Sequence, residues 1–204
     1  CRVIRGTELP RLCNLNPMSP MNQTASSASE PTDTVRLDGR VAIVTGAGAG
    51  LGRAHALLLA ARGARVVVND LRDPQPVVEA IRAAGGEAIG HIGSVTDEAA
   101  VQAMAELAMA TWGRIDILVN NAGILRDRMV FNMSEEDWEL VMKVHLYGHF
   151  FTTRHACTIF RQQRSGRIIN TSSVAGLGGT FGQANYGAAK EGIVGFTRTV
   201  ARDM

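Results

Sequence analysis

A glycine-rich turn between a short apolar run and an Ala/Leu-rich segment constrains the fold of this chain most. The apolar run covers residues 40–45 (R-V-A-I-V-T), and the Ala/Leu-rich segment covers residues 51–62, where Gly63 ends a predicted helix. The turn reads T-G-A-G-A-G-L-G over residues 45–52. Glycines permit a tight turn and let backbone N–H groups approach a pyrophosphate at the helix N-terminus. The strand–turn–helix order therefore predicts a dinucleotide-binding unit.

Short apolar runs continue to alternate with helical segments along the rest of the chain. Four further strands are predicted, over residues 65–70, 87–92, 115–120 and 167–171. Ser134 and Asp137 begin a long helix that reaches about Gln163, and residues 183–204 form the last helix. Strands that alternate with crossover helices form a parallel sheet covered on both faces. We therefore predict an α/β fold with a doubly wound, Rossmann-like parallel sheet.

Composition narrows the class of protein. The chain has 204 residues, of which 46% are hydrophobic, and a formal net charge of +2, which is typical of a globular protein and not of a nucleic-acid or membrane binder. The three cysteines, Cys1, Cys13 and Cys157, are far apart and form no C-x-x-C motif. This spacing argues against a disulfide framework or a zinc site and favours a reducing compartment. We therefore predict a cytoplasmic protein.

The first 36 residues differ from the rest in composition. They are rich in Pro, Ser, Thr and Asn and have no sustained periodicity, so we predict a disordered leader over residues 1–36 and a single domain over residues 37–204. The chain begins with Cys1, and Met18 and Met21 could each be a start. This favours additional upstream sequence over a targeting signal.

Asp70 ends the second predicted strand, 24 residues after Gly46. A carboxylate at this place is expected to bond the adenosine ribose hydroxyls and to repel a 2′-phosphate, which favours NAD over NADP. Two alternatives remain: Arg72 could accommodate a phosphate, and Asp70 could be a turn residue at the strand end. Residues 120–123 (N-N-A-G) follow the fourth strand, where adjacent amides can tie strands together and line the cofactor crevice.

Tyr186 and Lys190 lie four residues apart in the last predicted helix, and this spacing places them on one helical face. A neighbouring ammonium stabilises a phenolate, so the tyrosine is a candidate general base for an alcohol. The same spacing is common on solvated helices, and by itself it leaves both interpretations open.

Together these motifs resemble the short-chain dehydrogenase/reductase family over residues 37–204. The resemblance is carried by five features in the family's order and spacing: T-G-x-x-x-G-x-G at residues 45–52, Asp70, N-N-A-G at residues 120–123, Ser173, and Tyr186-x-x-x-Lys190. It implies an NAD-dependent oxidoreductase that transfers a hydride between nicotinamide and a secondary alcohol or ketone. It also implies a set of cofactor-binding residues: Gly46, Gly50, Leu51, Gly52, Asp70, Asn120, Ala122, Gly123, Tyr186 and Lys190.

The same resemblance assigns the catalytic roles. Tyr186 exchanges a proton with the substrate oxygen, and Ser173, which lies 13 residues before it, hydrogen-bonds that oxygen. Lys190 binds the nicotinamide ribose and favours the phenolate. His145 stands where many family members have an asparagine of the proton relay, and it is either a functional replacement or a packed helix residue. His145 and His149 have metal-compatible spacing, but no acidic or cysteine ligand adjoins them, so no metal site is predicted.

Finer resemblance concerns the substrate. Residues 121–128 (N-A-G-I-L-R-D-R) and 181–186 (F-G-Q-A-N-Y) resemble the (3R)-hydroxyacyl-CoA dehydrogenases of type 2 multifunctional enzymes and their bacterial relatives. This implies a 3-hydroxyacyl thioester such as an acyl-CoA, and a place in fatty acid metabolism. The 3-oxoacyl reductases share part of the pattern and typically favour NADP, so an NADPH-dependent reductase is one alternative. A non-catalytic cofactor-binding fragment is the other.

The resemblance also implies an assembly and a missing part. Family members pair through the long helix and the tyrosine-bearing helix, so we expect a homodimer or homotetramer. They extend beyond the residue that matches Met204, so we expect this chain to be a fragment that lacks the last strands and the substrate lid. The fifth strand is then expected at an exposed edge of the sheet.

Overall fold

A computed structural model of the protein describes residues 35–204. The leader predicted over residues 1–36 therefore lies outside the described residues, except for Val35 and Arg36. The described part contains five strands: β1 (Val41–Thr45), β2 (Arg65–Asp70), β3 (Ala88–Ile92), β4 (Ile117–Asn120) and β5 (Arg167–Asn170). It contains seven α-helices: α1 (Gly50–Ala61), α2 (Gln75–Ala83), α3 (Glu98–Trp112), α4 (Glu135–Met142), α5 (Gly148–Gln163), α6 (Val174–Gly178) and α7 (Ala184–Asp203).

All five strands are parallel and lie in the order β3-β2-β1-β4-β5. The order reverses between β1 and β4, and in such sheets a crevice opens at the carboxyl ends of the strands at this point. The predicted doubly wound parallel sheet is confirmed.

β1 shows why the sheet is covered on both faces. Ala42 and Val44 pack into the apolar cluster that includes residues of α1 and α2. Val41 and Ile43 pack into a second cluster, which includes residues of α3 and Phe160 of α5. Successive residues of a strand point to opposite faces, so a strand that is apolar at every position must be buried on both.

Local capping fixes where the helices begin and end. The Asp97 carboxylate accepts hydrogen bonds from the backbone N–H groups of Ala99 and Ala100, and Gly113 ends α3 in the left-handed conformation with φ 73°. The Ser134 hydroxyl accepts the N–H of Asp137 at 3.1 Å, so α4 begins where the sequence predicted.

The long predicted helix that follows Ser134 is present over residues 135–163, but it contains one π-helical turn. A π-helical turn over Lys143–Tyr147 separates α4 from α5 and contains His145. On this helix, Val141 and His145 are buried, whereas Trp138 is 37% exposed. The turn was not predicted, because a single inserted residue barely changes the apolar spacing. Such turns occur frequently at functional sites.

β5 lies at one edge of the described sheet, as predicted, and its Ile169 is 51% exposed. A groove of about 650 Å³ runs beside this strand between α5 and α7. No helix within residues 35–204 is long and apolar enough to cross a membrane.

Candidate active site

A cleft of about 470 Å³ opens at the carboxyl ends of the strands, where the strand order reverses. The turn after β1, the end of β2 and the loop after β4 all contribute to it. Its lining includes Gly46, Gly48, Asp70, Ser94, Ala122 and Ile124. The position is the one at which a doubly wound sheet binds a dinucleotide.

Glycines of the β1–α1 turn allow the close packing that forms the base of this cleft. Gly46 has φ 62°, and a Cβ atom on it would lie 2.9 Å from the Cα of Ala122. A Cβ atom on Gly52 would overlap the carbonyl oxygen of Gly46 and lie 2.5 Å from Nδ2 of Asn121. Only glycine therefore lets α1 approach the ends of β1 and β4 at these places. Gly50 and Leu51 form the exposed first turn of α1.

Thr45 and Asn121 hold the turn after β1 against the loop after β4. The hydroxyl oxygen of Thr45 accepts the backbone N–H groups of Asn121 at 3.0 Å and Ala122 at 3.1 Å. The side-chain amide of Asn121 donates to the carbonyl of Thr45 at 2.9 Å. Neither residue was among the predicted site residues, although both stand inside the motifs that defined the site.

Asn120 occupies a different place from the one expected. It is 2% exposed, and its amide accepts the Thr152 hydroxyl at 2.7 Å and donates to Oδ1 of Asn170 at 2.9 Å. Asn120 therefore ties β4 to α5 and β5, whereas its neighbour Asn121 lines the cleft. The predicted tying of strands is present in the structure, and the cofactor contact of Asn120 stays a prediction, since it is the neighbouring Asn121 that lines the cleft. A strand directs successive side chains to opposite faces, so adjacent asparagines cannot share one role.

The Asp70 carboxylate lies at the edge of the cleft and is fixed by the backbone. Its two oxygens accept the N–H groups of Gly48 at 2.9 Å and Arg72 at 3.0 Å. A Cβ atom on Gly48 would lie 2.9 Å from Oδ2 of Asp70, so Gly48 is required for this approach. Gly48 was not among the predicted site residues. The sequence does show a glycine at this position in the turn. Its role becomes clear only in the structure, where its partner is the Asp70 carboxylate.

Lys190 is buried beside Tyr186 on α7. Lys190 is 2% exposed, and its ammonium donates to the carbonyl of Thr171 at 2.6 Å. Its Nζ lies 5.4 Å from the centre of the Tyr186 ring. Burial lowers the pKa of Lys190 to about 8, because the charged form is desolvated. Tyr186 itself is half-buried. The predicted pair is therefore brought together, and Lys190 remains mainly cationic at pH 7.

The two serines after β5 have different partners. Ser172 donates its hydroxyl to the carbonyl of Lys190 at 2.9 Å. The Ser173 oxygen accepts the N–H of Ala175 at 3.2 Å and caps α6, a short helix that was not predicted. Accepting this bond leaves the hydroxyl hydrogen of Ser173 available for donation to another group.

His145 is 1% exposed and lies edge-on to the Tyr186 ring, with the two ring centres 5.2 Å apart. Its Nε2 lies 2.9 Å from the carbonyl oxygen and 3.2 Å from the backbone nitrogen of Ile124, which lines the cleft. A Cβ atom on Gly123 would lie 2.5 Å from the His145 ring, so the glycine of N-N-A-G makes room for it. Burial lowers the pKa of His145 to about 4, so this ring is neutral at pH 7.

His149 follows one turn later and is 2% exposed. Burial, followed by the charge of Lys190, lowers its pKa to about 3. Within residues 35–204, no group of three or more His, Cys, Asp or Glu side chains could hold a metal ion.

Comparison with known proteins gives the family. The family model described as short chain dehydrogenase matches residues 40–204. The chain belongs to the short-chain dehydrogenase family. A relative from Drosophila melanogaster, peroxisomal multifunctional enzyme type 2, is 54% identical over 178 residues, which are 82% of this chain and 29% of that protein. Hydroxyacyl-CoA dehydrogenase ChsB1 of Mycobacterium tuberculosis is 48% identical over 200 residues, covering 90% of this chain and 63% of that protein.

A solved structure shows the same fold. The crystal structure of a short chain dehydrogenase from Mycobacterium avium matches with a TM-score of 0.76 and 52% identity, over 78% of this chain and 61% of that one. The chain thus spans less than two thirds of the length of each of these three proteins. The predicted family resemblance is confirmed.

The family and the fold imply a nicotinamide cofactor, and the cleft fits one. A glycine-rich turn opens α1, where backbone N–H groups can meet a pyrophosphate. The Asp70 carboxylate lies at the end of β2, where ribose hydroxyls are bound in such folds. Glycine at position 48 lets that carboxylate lie directly against the turn.

Proposed function

We propose that the protein is an NAD-dependent oxidoreductase that interconverts the secondary alcohol and the ketone of a 3-hydroxyacyl thioester. One observation carries the proposal: the buried ammonium of Lys190 lies 5.4 Å from the centre of the Tyr186 ring. Burying a charged lysine costs stability, so a buried ammonium beside a phenol indicates a function that offsets this cost. A cation beside a phenol does serve proton transfer.

Each side chain then has a defined task. Tyr186 takes the proton of the substrate hydroxyl during oxidation and returns it during reduction. Ser173 donates its hydroxyl hydrogen to the substrate oxygen, and Lys190 supplies the positive charge that favours the phenolate. When bound, the nicotinamide ring accepts the hydride that leaves the carbinol carbon, or donates it in the reverse direction. Alcohol oxidation thus places one proton on Tyr186 and one hydride on the cofactor.

For His145, we propose a role as a neutral member of the site. The hydrogen bond of its Nε2 with the Ile124 backbone and its edge-on contact with Tyr186 support positioning of the tyrosine relative to the cleft. A proton relay remains the alternative, and a relay would also use Nδ1. Replacement by asparagine, the residue common in the family, and by leucine separates the two roles. A relay predicts that only the asparagine variant retains turnover.

The cofactor proposal rests on Asp70. Its carboxylate is fixed by two backbone N–H groups at the cleft, so a 2′-phosphate there would meet a negative charge that cannot easily turn away. Arg72 also lines the cleft, which makes an NADPH-dependent 3-oxoacyl reductase the second candidate. Tighter binding of NADPH than of NADH would favour that candidate.

The assembly proposal is a homodimer or homotetramer. Four large apolar or aromatic side chains on the stretch from α4 to α5 are at least 36% exposed: Trp138, Leu140, Tyr147 and Phe150. Large exposed apolar side chains on these helices support association with a second copy. The oligomeric state measured by light scattering tests it.

Two compartments are candidates. The spacing of the cysteines favours a reducing compartment such as the cytoplasm, and the Drosophila relative is named as peroxisomal. Microscopy of the tagged full-length protein distinguishes the two.

The direct test uses the full-length protein that contains this domain. NAD is added with a (3R)-3-hydroxyacyl-CoA, and the appearance of NADH is followed by its absorbance. We expect turnover with NAD and less with NADP, and the (3S) isomer serves as the stereochemical control. Cofactor binding by calorimetry with no turnover on any alcohol would instead support a non-catalytic binding module.

A further inference from the structure

Asn185 is a buried polar residue whose side chain contacts three separate backbone groups. It is 0% exposed and lies in the first turn of α7, directly before Tyr186. Its Nδ2 donates to the carbonyls of Arg126 at 3.0 Å and Asp137 at 3.1 Å. Its Oδ1 accepts the backbone N–H of Tyr186 at 2.7 Å. Two acceptors and one donor around one amide allow a single orientation of that amide.

The two carbonyls belong to different parts of the molecule. Arg126 is in the loop after β4, and the same loop supplies Gly123 and Ile124 to the lining of the cleft. Asp137 is in the first turn of α4. Asn185 thus joins the loop after β4, helix α4 and the backbone of Tyr186 through one side chain.

A second set of contacts joins the same two segments at the surface. The amide of Gln183 donates to the Asp127 carboxylate at 3.0 Å. The backbone N–H of Arg128 donates to the carbonyl of Gly182 at 2.8 Å, and Arg128 and Gln183 form a parallel bridge. The loop after β4 is therefore paired with the segment that leads into α7.

At the start of α7, the contacts of Asn185 are buried, whereas those of Gln183 are at the surface. Gln183 stands at the N-cap but makes no side-chain capping bond, and glycine precedes it. Without Asn185, the backbone N–H of Tyr186 in the first turn of α7 would lose its hydrogen-bond partner, which destabilises that turn. The turn contains Tyr186, so any displacement of it moves the phenol.

We propose that Asn185 is a positioning residue that fixes Tyr186 relative to the cofactor cleft through the loop after β4. The inference rests on the proposed function, because positioning has a catalytic meaning only if Tyr186 transfers the proton. Displacement of a reacting group by about 1 Å can cost on the order of a hundredfold in rate. Loss of Asn185 should therefore act more on kcat than on cofactor affinity, because the Asp70 carboxylate and the β1–α1 turn that holds it have no contact with Asn185.

The experiment compares the full-length protein with its Asn185→Ser and Asn185→Leu variants. Serine keeps a small polar group, whereas leucine keeps most of the volume without the polar atoms. We expect kcat to fall about 10- to 100-fold, with the Kd for NADH changed by less than about threefold. We also expect the rise of kcat with pH in the oxidation direction to move to higher pH, because Lys190 then stabilises the phenolate less. Asn132→Ala, on an exposed residue, is the matched control and should change none of these values.

A purely structural role gives a different pattern. It predicts less folded protein, but unchanged kcat and pH profile per folded molecule. That result, with folding measured by circular dichroism, overturns the proposal.

The exposed contacts give a second arm if the Asn185 variants do not fold. The double variant Asp127→Ala/Gln183→Ala removes the surface bond and leaves Asn185 in place. We expect kcat to fall about threefold, the effect of one modest hydrogen bond, with cofactor affinity unchanged. An unchanged kcat in this variant then overturns the proposal. An inactive parent protein refutes the proposed function itself, and with it this inference, whereas an active parent with equally active variants refutes the inference alone.

Discussion

The half of the site at the β1–α1 turn and the half around Tyr186 are built from different groups. At the turn, contacts are made by glycines and backbone N–H groups, as between Gly48 and the Asp70 carboxylate. Around Tyr186, contacts are made by buried polar side chains. Four of these side chains are at most 2% exposed: His145, His149, Asn185 and Lys190.

The difference shows which half of the site contains ionisable side chains that are desolvated by burial. The glycines and backbone N–H groups at the turn have no ionisable state. Burial disfavours the charged forms of Lys190 and both histidines, whose pKa values fall to about 8, 4 and 3 for Lys190, His145 and His149. A low-dielectric setting strengthens the effect of one remaining charge on a neighbouring phenol. In the half around Tyr186, burial of ionisable groups thus lowers stability but strengthens the effect of Lys190 on the phenol.

The largest expected effect is at the contact between the two halves, where Gly123 meets His145. The change Gly123→Ala places a methyl group against a buried ring held by Ile124, so we expect the free energy of unfolding to fall by about 2–3 kcal/mol. Urea unfolding measures it. Gly178→Ala, in open space, is the control and should stay within about 0.5 kcal/mol. In a cycle with His145→Ala, strict additivity of the two changes would contradict the contact.

The second largest expected effect is a loss of folding stability at acidic pH, caused by a buried histidine in the half around Tyr186. His149 has a pKa of about 3 when folded, against 6.5 as the ordinary value, so below pH 6.5 the unfolded state binds a proton that the folded state does not. Stability is therefore lost as the pH falls from 6.5 toward 3. Between pH 7 and pH 5 this histidine alone accounts for roughly 2 kcal/mol.

The variant His149→Leu should reduce the stability difference between pH 7 and pH 5 by that amount in urea unfolding. Ala156→Gly, a buried change without a titrating group on the same helix, should cost the same at both pH values. An unaltered pH dependence in the leucine variant would show that His149 is not buried in its neutral form.

The sequence predicts the glycine-rich turn of this site, but it does not predict the contact between Gly123 and His145. The turn at residues 45–52 is readable because turn, cap and helix start follow one another along the chain, and the parallel sheet follows from the alternation of elements. Gly123 is in the loop after β4, and its partner His145 is in the π-helical turn more than 20 residues later, so no local pattern could indicate the contact.

Asn120 and Asn185 show the same limit. The sequence placed Asn120 in the cofactor site because the motif contains it, but which of two adjacent asparagines faces the cleft depends on the strand's orientation in the sheet. Asn185 was not singled out, because its partners are backbone carbonyls at distant positions. The short helix α6 and the π-helical turn were missed for a similar reason, since glycine content and apolar spacing do not resolve them.

The smallest expected effect concerns cofactor choice in the turn half. The change Asp70→Asn removes the charge but keeps an oxygen that can accept the N–H of Gly48. We expect the ratio of NADPH to NADH dissociation constants to fall about tenfold, which corresponds to about 1.4 kcal/mol. Fluorescence titration with each cofactor gives the ratio. Arg72→Ala is the paired variant, and a larger shift there than at Asp70 would move the discrimination to the arginine.

Proton transfer by Tyr186 beside Lys190 is the central step of the proposed reaction. The measurement is the turnover of a (3R)-3-hydroxyacyl-CoA by the full-length Tyr186→Phe variant, together with its Kd for NADH. Phenylalanine keeps the ring beside His145 and removes only the hydroxyl. We predict that kcat falls about a hundredfold or more, with the Kd for NADH changed by less than about threefold. Undiminished turnover in this variant would contradict the central claim.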